Sequence, residues 1–280
     1  MSQASEPNLP KVVLITGASS GFGHRTAQKL LQKGFIVYPA ARRVEKMQDL
    51  ADDGAHVLQM DVTQDEEVKN GIARVIAEQG RIDVLINNAG YGAYGAIEET
   101  PIGEVQYQFD VNVFGYGRLI QAVLPHMRDK RDGRIINVAS LVSHLSTPII
   151  GWYAATKHAV DAMSDALRME VKSLGIDVVL IEPGAVKTGF EDVAFAKLDA
   201  APHADDYRGF VEGFRNYASR MYKRSPGPDG TAEAIVRATT ARRPRVRYRT
   251  TRDSKLLAPL SSLMPDWISD WITIRQLSDR

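Results

Sequence analysis

Short apolar runs alternate with longer amphipathic stretches along the first two-thirds of the chain. The runs are rich in branched residues and have the length of strands buried on both faces, whereas the stretches carry apolar residues at helical spacing. The predicted strands are Val12–Ile15, Phe35–Tyr38, Ala55–Met60, Ile82–Ile86, Gly133–Ala139 and Asp177–Ile181. The first predicted helix follows the glycine-rich turn and runs to Leu31, and a later one begins at Thr63–Glu66. The other predicted helices are Val44–Ala51, Ile102–Met127 and Tyr153–Leu174.

This alternation predicts an α/β fold with one doubly wound parallel sheet and helices on both faces. Right-handed crossovers place the loops that follow the strands at the carboxyl edge of the sheet. The residues that could bind a ligand or take part in a reaction fall in those loops, so we expect a single site there. No internal repeat or linker interrupts the pattern, and residues 1–280 are interpreted as one domain.

The pattern changes after the sixth strand. Residues 185–230 mix aromatic and charged side chains, and we predict that 189–230 form a substrate lid above the cleft. Residues 1–10 are expected to be a flexible tail and 240–280 a C-terminal extension. Within that extension, arginines alternate with Val and Tyr over 242–249, which favours an edge strand; contact with a membrane surface or RNA stays open. Pro259 and Pro265 argue against a membrane helix.

Composition narrows the class of protein without naming it. The net charge of +1 gives no global signal for nucleic-acid binding, and the absence of cysteine excludes disulfides and thiolate metal ligands. The N-terminal residues lack the features of a signal peptide, and the apolar runs are shorter than the roughly 18 residues of a membrane span. We therefore expect a cytoplasmic protein with a small-molecule partner, no nucleic acid, no metal and no transmembrane segment.

The turn Thr16-Gly-Ala-Ser-Ser-Gly-Phe-Gly23 stands between the first strand and the first helix. Glycines allow a tight turn, and the backbone N–H groups at the helix start can approach a pyrophosphate. The spacing differs from the usual G-x-G-x-x-G fingerprint. A plain glycine-rich turn is the alternative interpretation.

Tyr153 and Lys157 are separated by one helical turn and therefore share a helix face. An ammonium near a phenol favours the phenolate, so we expect the pKa of Tyr153 to fall below about 10. Ser140, at the end of the fifth strand, can present its hydroxyl to the same oxygen. The three side chains suit acid–base chemistry on a carbonyl or alcohol. Taken singly, Ser140 could cap a strand end and Lys157 could be a solvated charge.

These motifs, together with Asn87-Asn-Ala-Gly90, Asn112 and Pro183-Gly184-x3-Thr188, resemble the short-chain dehydrogenase/reductase family in order and spacing. The resemblance covers about Val12 to Thr188. It implies that Tyr153 is the general acid/base, that Lys157 tunes it and binds the nicotinamide ribose, and that Ser140 orients the substrate oxygen. It also implies that Asn112 holds a water in a proton relay. The residues expected to bind the cofactor are Gly17, Ser19, Ser20, Gly21, Phe22, Gly23, Arg42, Asp61, Val62, Asn88, Ala89, Gly90, Tyr153, Lys157, Pro183, Gly184, Val186 and Thr188.

The end of the second strand indicates which cofactor binds. A site that prefers NAD places an acidic residue there for the ribose 2′-hydroxyl, whereas this chain has Ala41 followed by Arg42. A small residue and a guanidinium admit and bind a 2′-phosphate, and Ser20 can add a hydroxyl. We therefore predict NADP(H). Arg42 and Arg43 could instead be solvated residues at a helix start.

The segment Leu141–Trp152 is an apolar loop beside the expected reaction centre. With Phe190 and the lid aromatics, it predicts a bulky, lipophilic ketone or alcohol. His144 could hydrogen-bond the substrate, although an incidental loop histidine is the alternative.

The leading hypothesis is an oxidoreductase, an NADP-dependent carbonyl reductase of the short-chain dehydrogenase/reductase type. It would transfer hydride between nicotinamide and a carbonyl or secondary alcohol. The alternatives are an NAD-linked hydroxysteroid- or retinol-type alcohol dehydrogenase and a non-catalytic dinucleotide-binding regulator. The resemblance also implies a homodimer or homotetramer assembled through the helices near 102–127 and 153–174.

Overall fold

The computed structural model describes residues 10–261 and 263–278. The predicted tail at 1–10 therefore lies outside the described residues, apart from Pro10.

One parallel sheet forms the centre of the molecule and confirms the predicted fold class. Its strand order is β3-β2-β1-β4-β5-β6-β7, and every neighbouring pair is parallel. The chain reverses its direction of progress across the sheet between β1 and β4, which opens a crevice at the carboxyl ends of those strands. The strands are β1 (Val12–Thr16), β2 (Ile36–Ala41), β3 (Leu58–Gln59), β4 (Val84–Asn87), β5 (Gly133–Val138), β6 (Ile176–Glu182) and β7 (Arg247–Arg249).

The helices cover both faces of the sheet. Alternate residues of β1 show why its apolar run is continuous: Val12 and Leu14 enter one core, whereas Val13 and Ile15 enter the other. Helices α3, α5 and α6 supply the first core, and α1 and α9 the second. The helices are α1 (Gly21–Leu31), α2 (Gln48–Asp52), α3 (Asp65–Gln79), α4 (Ile102–Phe109), α5 (Gly115–Lys130), α6 (Gly151–Val171), α7 (Phe190–Ala200), α8 (Asp205–Arg224), α9 (Asp229–Thr240), α10 (Arg252–Ser261) and α11 (Asp266–Ser278).

Several boundaries differ from the sequence prediction. The predicted helix Ile102–Met127 is interrupted by a π-helical turn at Asp110–Phe114, so that it forms α4 and α5. The predicted third strand shortens to the two residues of β3, since only these pair with β2. The arginine-rich tract does provide an edge strand, β7, which pairs with β6.

Helices α7, α8 and α11 lie at the carboxyl end of the sheet around a third apolar core, which includes Tyr94, Phe214 and Leu277. Helices α8 and α11 approach closely at Gly213, where an added Cβ would overlap the carbonyl of Leu277. By contrast, α9 returns to the sheet and packs against α1. Within residues 10–261 and 263–278, no helix is both long and apolar enough to cross a bilayer.

Candidate active site

A cavity of about 1300 Å³ lies along the carboxyl ends of the strands. The glycine turn, Arg42 and Asp61 line one half of it, which we call the polar half. Helices α8, α10 and α11 line the other, apolar half, and Ser140, Tyr153 and Lys157 stand at the boundary. The cavity brings together every residue that the sequence assigned to the site except Gly23 and Asn112, which lie beneath its wall.

The glycine turn is fixed by the loop that follows β4. Gly17 has φ +66°, and a Cβ there would lie 2.7 Å from the Cα of Ala89. A Cβ on Gly23 would lie 2.6 Å from Nδ2 of Asn88. Asn88 donates from that nitrogen to the carbonyls of Thr16 (2.9 Å) and Gly17 (3.2 Å). Gly23 is therefore required for packing, and the Asn88 amide holds the turn in place.

The first turn of α1 faces the polar half of the cavity. Ser19, Ser20, Gly21 and Phe22 line the wall there, and Ser20 makes no side-chain capping hydrogen bond to the helix. The free N–H groups and the positive end of the helix dipole suit a negatively charged group. A narrow glycine cradle next to a helix start fits the pyrophosphate of a dinucleotide.

Arg42 stands at the far end of the polar half. Its guanidinium donates to the Tyr107 hydroxyl (2.8 Å) and lies 3.8 Å from the Asp61 carboxylate, while 62% of the side chain stays exposed. Asp61 accepts from the backbone N–H (3.0 Å) and hydroxyl (2.8 Å) of Thr63. The sequence placed the opening of the next helix at Thr63–Glu66; α3 begins at Asp65, and the Thr63 hydroxyl donates to Asp61 instead of capping the helix. Ala41 adds no charge between Arg42 and the cavity.

Asn112 lies in the π-helical turn and is fully buried. Its Nδ2 donates to the carbonyl of Tyr91 (2.8 Å) and the hydroxyl of Thr156 (3.0 Å), and its Oδ1 accepts from the Tyr91 N–H (2.8 Å). Both hydrogens of the amide are therefore used by the protein. The side chain holds the Tyr91 loop against α6.

Tyr153 and Lys157 lie on the first two turns of α6 and point into the same cleft. The Lys157 ammonium is 5.9 Å from the centroid of the Tyr153 ring and donates to the carbonyl of Val138 (3.0 Å). The Ser140 hydroxyl is buried just beyond the end of β5, where it accepts from the N–H of Val142 (3.3 Å), donates to the carbonyl of Pro183 (3.4 Å) and lies close enough to Tyr153 to affect the pKa of its phenol. The structure thus places the three predicted side chains together.

The predicted direction of the Tyr153 pKa is wrong for this structure. Burial raises the pKa of the phenol above its usual value, and Tyr222 adds to this, whereas the hydrogen bond with Ser140 lowers it. The Lys157 ammonium does not reverse the effect. Burial lowers the pKa of Lys157 itself to about 8, because the same apolar surroundings disfavour its charge.

Aromatic side chains surround Tyr153 on its apolar side. Its ring is 5.5 Å from that of Phe190 and 6.3 Å from that of Tyr94, measured between centroids. Tyr94 in turn contacts Phe214 of α8 at 5.5 Å. Other side chains of the apolar half are Val142, Tyr217, Met221, Tyr222, Leu257, Leu260, Met264 and Ile272. The sequence prediction missed Tyr94 and the contribution of α10 and α11; the apolar positions at 256–277 were the only local signal.

The C-terminal segment also contacts the loop after β6. The Gly184 N–H donates to the hydroxyl of Thr251 (2.9 Å), and the N–H of Ala185 donates to the Asp253 carboxylate (3.4 Å). A Cβ on Gly184 would overlap that carboxylate. Pro183, Gly184, Val186 and Thr188 line the cavity as predicted, and this loop is fixed by a segment that no sequence motif marks.

His144 is a structural residue in this arrangement. Its Nε2 lies 3.2 Å from the carboxylate of Glu182, which is fully buried and also accepts from Arg247 and Arg249 (both 3.0 Å). Burial alone would raise the pKa of Glu182, but His144 and the arginines outweigh it and lower that pKa. His144, Glu182 and Asp161 could together hold a cation, yet Arg247 already pairs with both carboxylates. The cluster ties the loop before α6 to the edge strand β7.

The parallel sheet, the glycine cradle and the Ser–Tyr–Lys arrangement define a class, the oxidoreductases that use a nicotinamide dinucleotide. Residues 11–199 match the family described as short chain dehydrogenase. The chain belongs to the short-chain dehydrogenase/reductase family.

Two curated relatives carry informative names. The chain is 44% identical over 183 residues to the 3-ketodihydrosphingosine reductase of Bacteroides thetaiotaomicron, covering 65% of this chain and 66% of the relative. It is 31% identical over 278 residues to the NADPH-dependent 3-dehydrocapnine reductase of Ornithobacterium rhinotracheale, covering 95% and 97%.

Solved structures share the fold over most of their length. A short-chain dehydrogenase from Streptomyces avermitilis aligns with a TM-score of 0.81 at 31% identity and covers 98% of this chain and 100% of its own. A family member from Burkholderia phymatum in complex with NAD aligns with a TM-score of 0.75 at 27% identity, covering 91% and 92%. An alcohol dehydrogenase from Thermococcus sibiricus complexed with 5-hydroxy-NADP aligns with a TM-score of 0.71 at 26% identity, covering 86% and 96%.

Proposed function

We propose that this protein is an NADP(H)-dependent oxidoreductase that transfers hydride between nicotinamide and the carbonyl or secondary alcohol of a bulky, lipophilic substrate. One observation carries the proposal. Ser140, Tyr153 and Lys157 meet inside one cavity, at the boundary between a polar half that suits a dinucleotide and an apolar half that suits a lipophilic molecule.

The raised pKa of Tyr153 favours the reductive direction. Burial keeps the phenol protonated at neutral pH, and this is the form that can donate a proton to a carbonyl oxygen. Ser140 holds the same oxygen through its hydroxyl. Lys157, with a pKa of about 8, carries its charge at neutral pH and stabilises the phenolate that remains after proton donation. Asn112 acts as a positioning residue through Tyr91 and Thr156. When bound, the nicotinamide supplies the hydride.

Arg42 and Ala41 support NADP(H) over NAD(H). Arg42 has a largely exposed guanidinium at the end of β2, and Ala41 provides no carboxylate that would repel a 2′-phosphate. One relative is named as NADPH-dependent and a similar structure holds an NADP derivative, although another holds NAD. Both curated relatives described above are named as reductases, which supports the same direction of reaction.

A homo-oligomer assembled through α4, α5 and α6 belongs to the same proposal. Ile102, Phe114 and Met169 are apolar and 66%, 56% and 65% exposed on those helices and the π-helical turn. Apolar side chains of this size at such exposure suit contact with a second copy.

The test is a comparison of kcat/KM for NADPH and NADH with a panel of ketones that runs from small and soluble to long-chain. We expect turnover of the bulky ketones and a clear preference for NADPH. Equal or better use of NADH would contradict the cofactor assignment and favour an NAD-linked alcohol dehydrogenase. Binding of NADPH without turnover of any panel member would favour a regulator.

A further inference from the structure

Tyr116 is a fully buried tyrosine in the first turn of α5, and it is not among the described residues that line the cavity. Its hydroxyl donates to the carbonyl of Val138 (3.2 Å), and the same carbonyl accepts from the Lys157 ammonium (3.0 Å). The ammonium also lies over the Tyr116 ring, 5.7 Å from its centroid. Tyr116 therefore meets Lys157 in two ways, through its ring and through a shared acceptor.

The Lys157 ammonium is a buried charge without an anionic partner in the described part of the chain. Only 3% of the residue is exposed, and its hydrogen bond goes to a neutral carbonyl. Burial alone lowers its pKa to about 8. The titratable groups placed against it are Tyr116 of α5 and Tyr153 of α6, whose ring centroids are 5.7 and 5.9 Å away. The face of an aromatic ring attracts a cation, most strongly where water is excluded.

The two rings beside the ammonium are not equivalent. Tyr153 is the proposed proton donor, so its charge changes during the reaction. The Tyr116 hydroxyl is committed to Val138, and burial raises the pKa of this phenol well above its usual value, with a further contribution from Tyr153. Tyr116 therefore stays neutral and presents the same ring face to Lys157 throughout.

The π-helical turn at Asp110–Phe114 sets the direction of Tyr116. Such a turn adds one residue to an α-helix and rotates everything after it by about 100°, and it is frequent at functional sites. An uninterrupted α-helix would turn the Tyr116 ring away from Val138 and Lys157. The interruption of the predicted helix Ile102–Met127 thus has a consequence for the charge at the boundary of the cavity.

We propose that Tyr116 is a positioning residue whose ring holds the Lys157 ammonium beside Tyr153 and keeps it charged. It acts through Lys157, because it does not reach the cavity. The effect on catalysis rests on the proposed function, whereas the effect on Lys157 itself does not require turnover.

The experiment replaces Tyr116 in the full-length protein by phenylalanine and by 3,4,5-trifluorophenylalanine. Fluorine withdraws electron density from the ring face with little change of shape, so it weakens the attraction for a cation. Carbon-13 NMR of lysine Cε follows the titration of Lys157, and Lys157→Met identifies the signal. We expect Tyr116→Phe to keep the pKa of Lys157 within about half a unit of the wild type. The trifluoro variant should lower it by about one unit relative to Tyr116→Phe.

Tyr38 provides a matched control. It is also fully buried and donates its hydroxyl, to Glu78 (2.7 Å), but it lies on β2 and packs in the core beneath α3. The same two substitutions at Tyr38 should leave the pKa of Lys157 unchanged. The thermal midpoint and NADPH affinity should agree between the phenylalanine and trifluoro variants of Tyr116, since their shapes are nearly the same.

The kinetic readout is the pH profile of ketone reduction. The pH above which kcat falls should be about one unit lower in the trifluoro variant than in Tyr116→Phe. Equal Lys157 pKa values in these two variants would overturn the proposal. A fall of one unit already in Tyr116→Phe would assign the effect to the hydroxyl and overturn the role of the ring. If no ketone is turned over, the proposed function fails, and the NMR titration still decides the role of Tyr116.

Discussion

The two halves of the cavity are built by different means. In the polar half, backbone meets backbone: Gly17 contacts Ala89 with no space for a Cβ, and the Asn88 amide holds the turn through two carbonyls. In the apolar half, side chains of α8, α10 and α11 pack on one another, as Tyr94 does on Phe214. The first arrangement tolerates almost no change of shape, whereas the second can accept different side-chain volumes. A fixed cofactor site beside an adaptable substrate site is the expected result.

The largest expected loss of activity comes from a substitution at the boundary between the two halves of the cavity. Lys157→Met should lower kcat for ketone reduction by about 10³-fold, because the phenolate left on Tyr153 loses its nearby ammonium. In the wild type, the reductive rate should fall as pH rises through about 8, where buried Lys157 loses its proton. A rate that stays level through this range would contradict the role of Lys157.

The same variant should stabilise the protein at neutral pH. The pKa of Lys157 falls from 10.5 to about 8 on folding, so its burial penalty is complete below pH 8 and is relieved as pH rises toward 10.5. Lys157→Met should therefore raise the free energy of unfolding by about 2 kcal/mol at pH 7, and the gain should shrink with increasing pH. The Val138 carbonyl keeps its hydrogen bond from Tyr116 (3.2 Å). Lys172→Met, at an exposed lysine after α6, is the control and should change neither the free energy of unfolding nor its dependence on pH.

In the polar half, Gly17→Ala tests how little the backbone can yield. The left-handed φ and the overlap with Ala89 should cost on the order of 3 kcal/mol, seen as about 100-fold weaker NADPH binding, as lower stability, or as both. Gly209→Ala provides the matched control in α8, where an added Cβ meets no atom within 4 Å. Calorimetric NADPH titration and thermal unfolding measure the two quantities. Unchanged binding and stability in Gly17→Ala would remove the contrast between the halves.

Arg42→Ala tests the charge at the end of the polar half. Loss of a charge-assisted bond to the 2′-phosphate should lower kcat/KM for NADPH about 10- to 30-fold and leave that for NADH nearly unchanged. Arg43→Ala, at the adjacent position, should have a smaller effect. A parallel loss with both cofactors would show that Arg42 supports the fold through Tyr107 rather than selecting NADP(H).

In the apolar half, Phe214→Leu should have the smallest effect. Loss of part of an aromatic surface should raise KM for bulky ketones about threefold and leave small ketones unaffected. Phe210→Leu is the control on the same helix, at a side chain that is 36% exposed. A large loss of kcat with every substrate would show that the apolar half is as rigid as the polar one.

The sequence predicted the polar half better than the apolar half for a physical reason. The runs that form β1 to β6 and the spacing of Tyr153 and Lys157 are local patterns, and local geometry determines what they do. The contact between Gly184 and Asp253 joins distant parts of the chain, and no local pattern encodes it. The wall formed by α10 and α11 escaped prediction for the same reason.

The predictions about the chemistry of the site residues divide in the same way, into those that local spacing determines and those that depend on the whole fold. Proximity of Tyr153 and Lys157 follows from helical spacing, but the direction of the Tyr153 pKa depends on burial, which needs the whole fold. Asn112 was assigned to a water relay from resemblance, and that role stays a prediction; the structure adds that its side-chain amide donates to Tyr91 and Thr156. Gly23 was assigned to the cofactor, and that role stays a prediction; the structure adds that a Cβ at this position would overlap the Asn88 side chain.

The most direct test of the account is the kinetics of Tyr153→Phe, which removes one hydroxyl from the boundary and keeps the ring between Phe190 and Tyr94. We predict that kcat for NADPH-dependent ketone reduction falls by about 10³-fold while NADPH affinity stays within about threefold of the wild type. A variant that retains most of its turnover would show that the proton comes from elsewhere and would contradict the assignment of Tyr153.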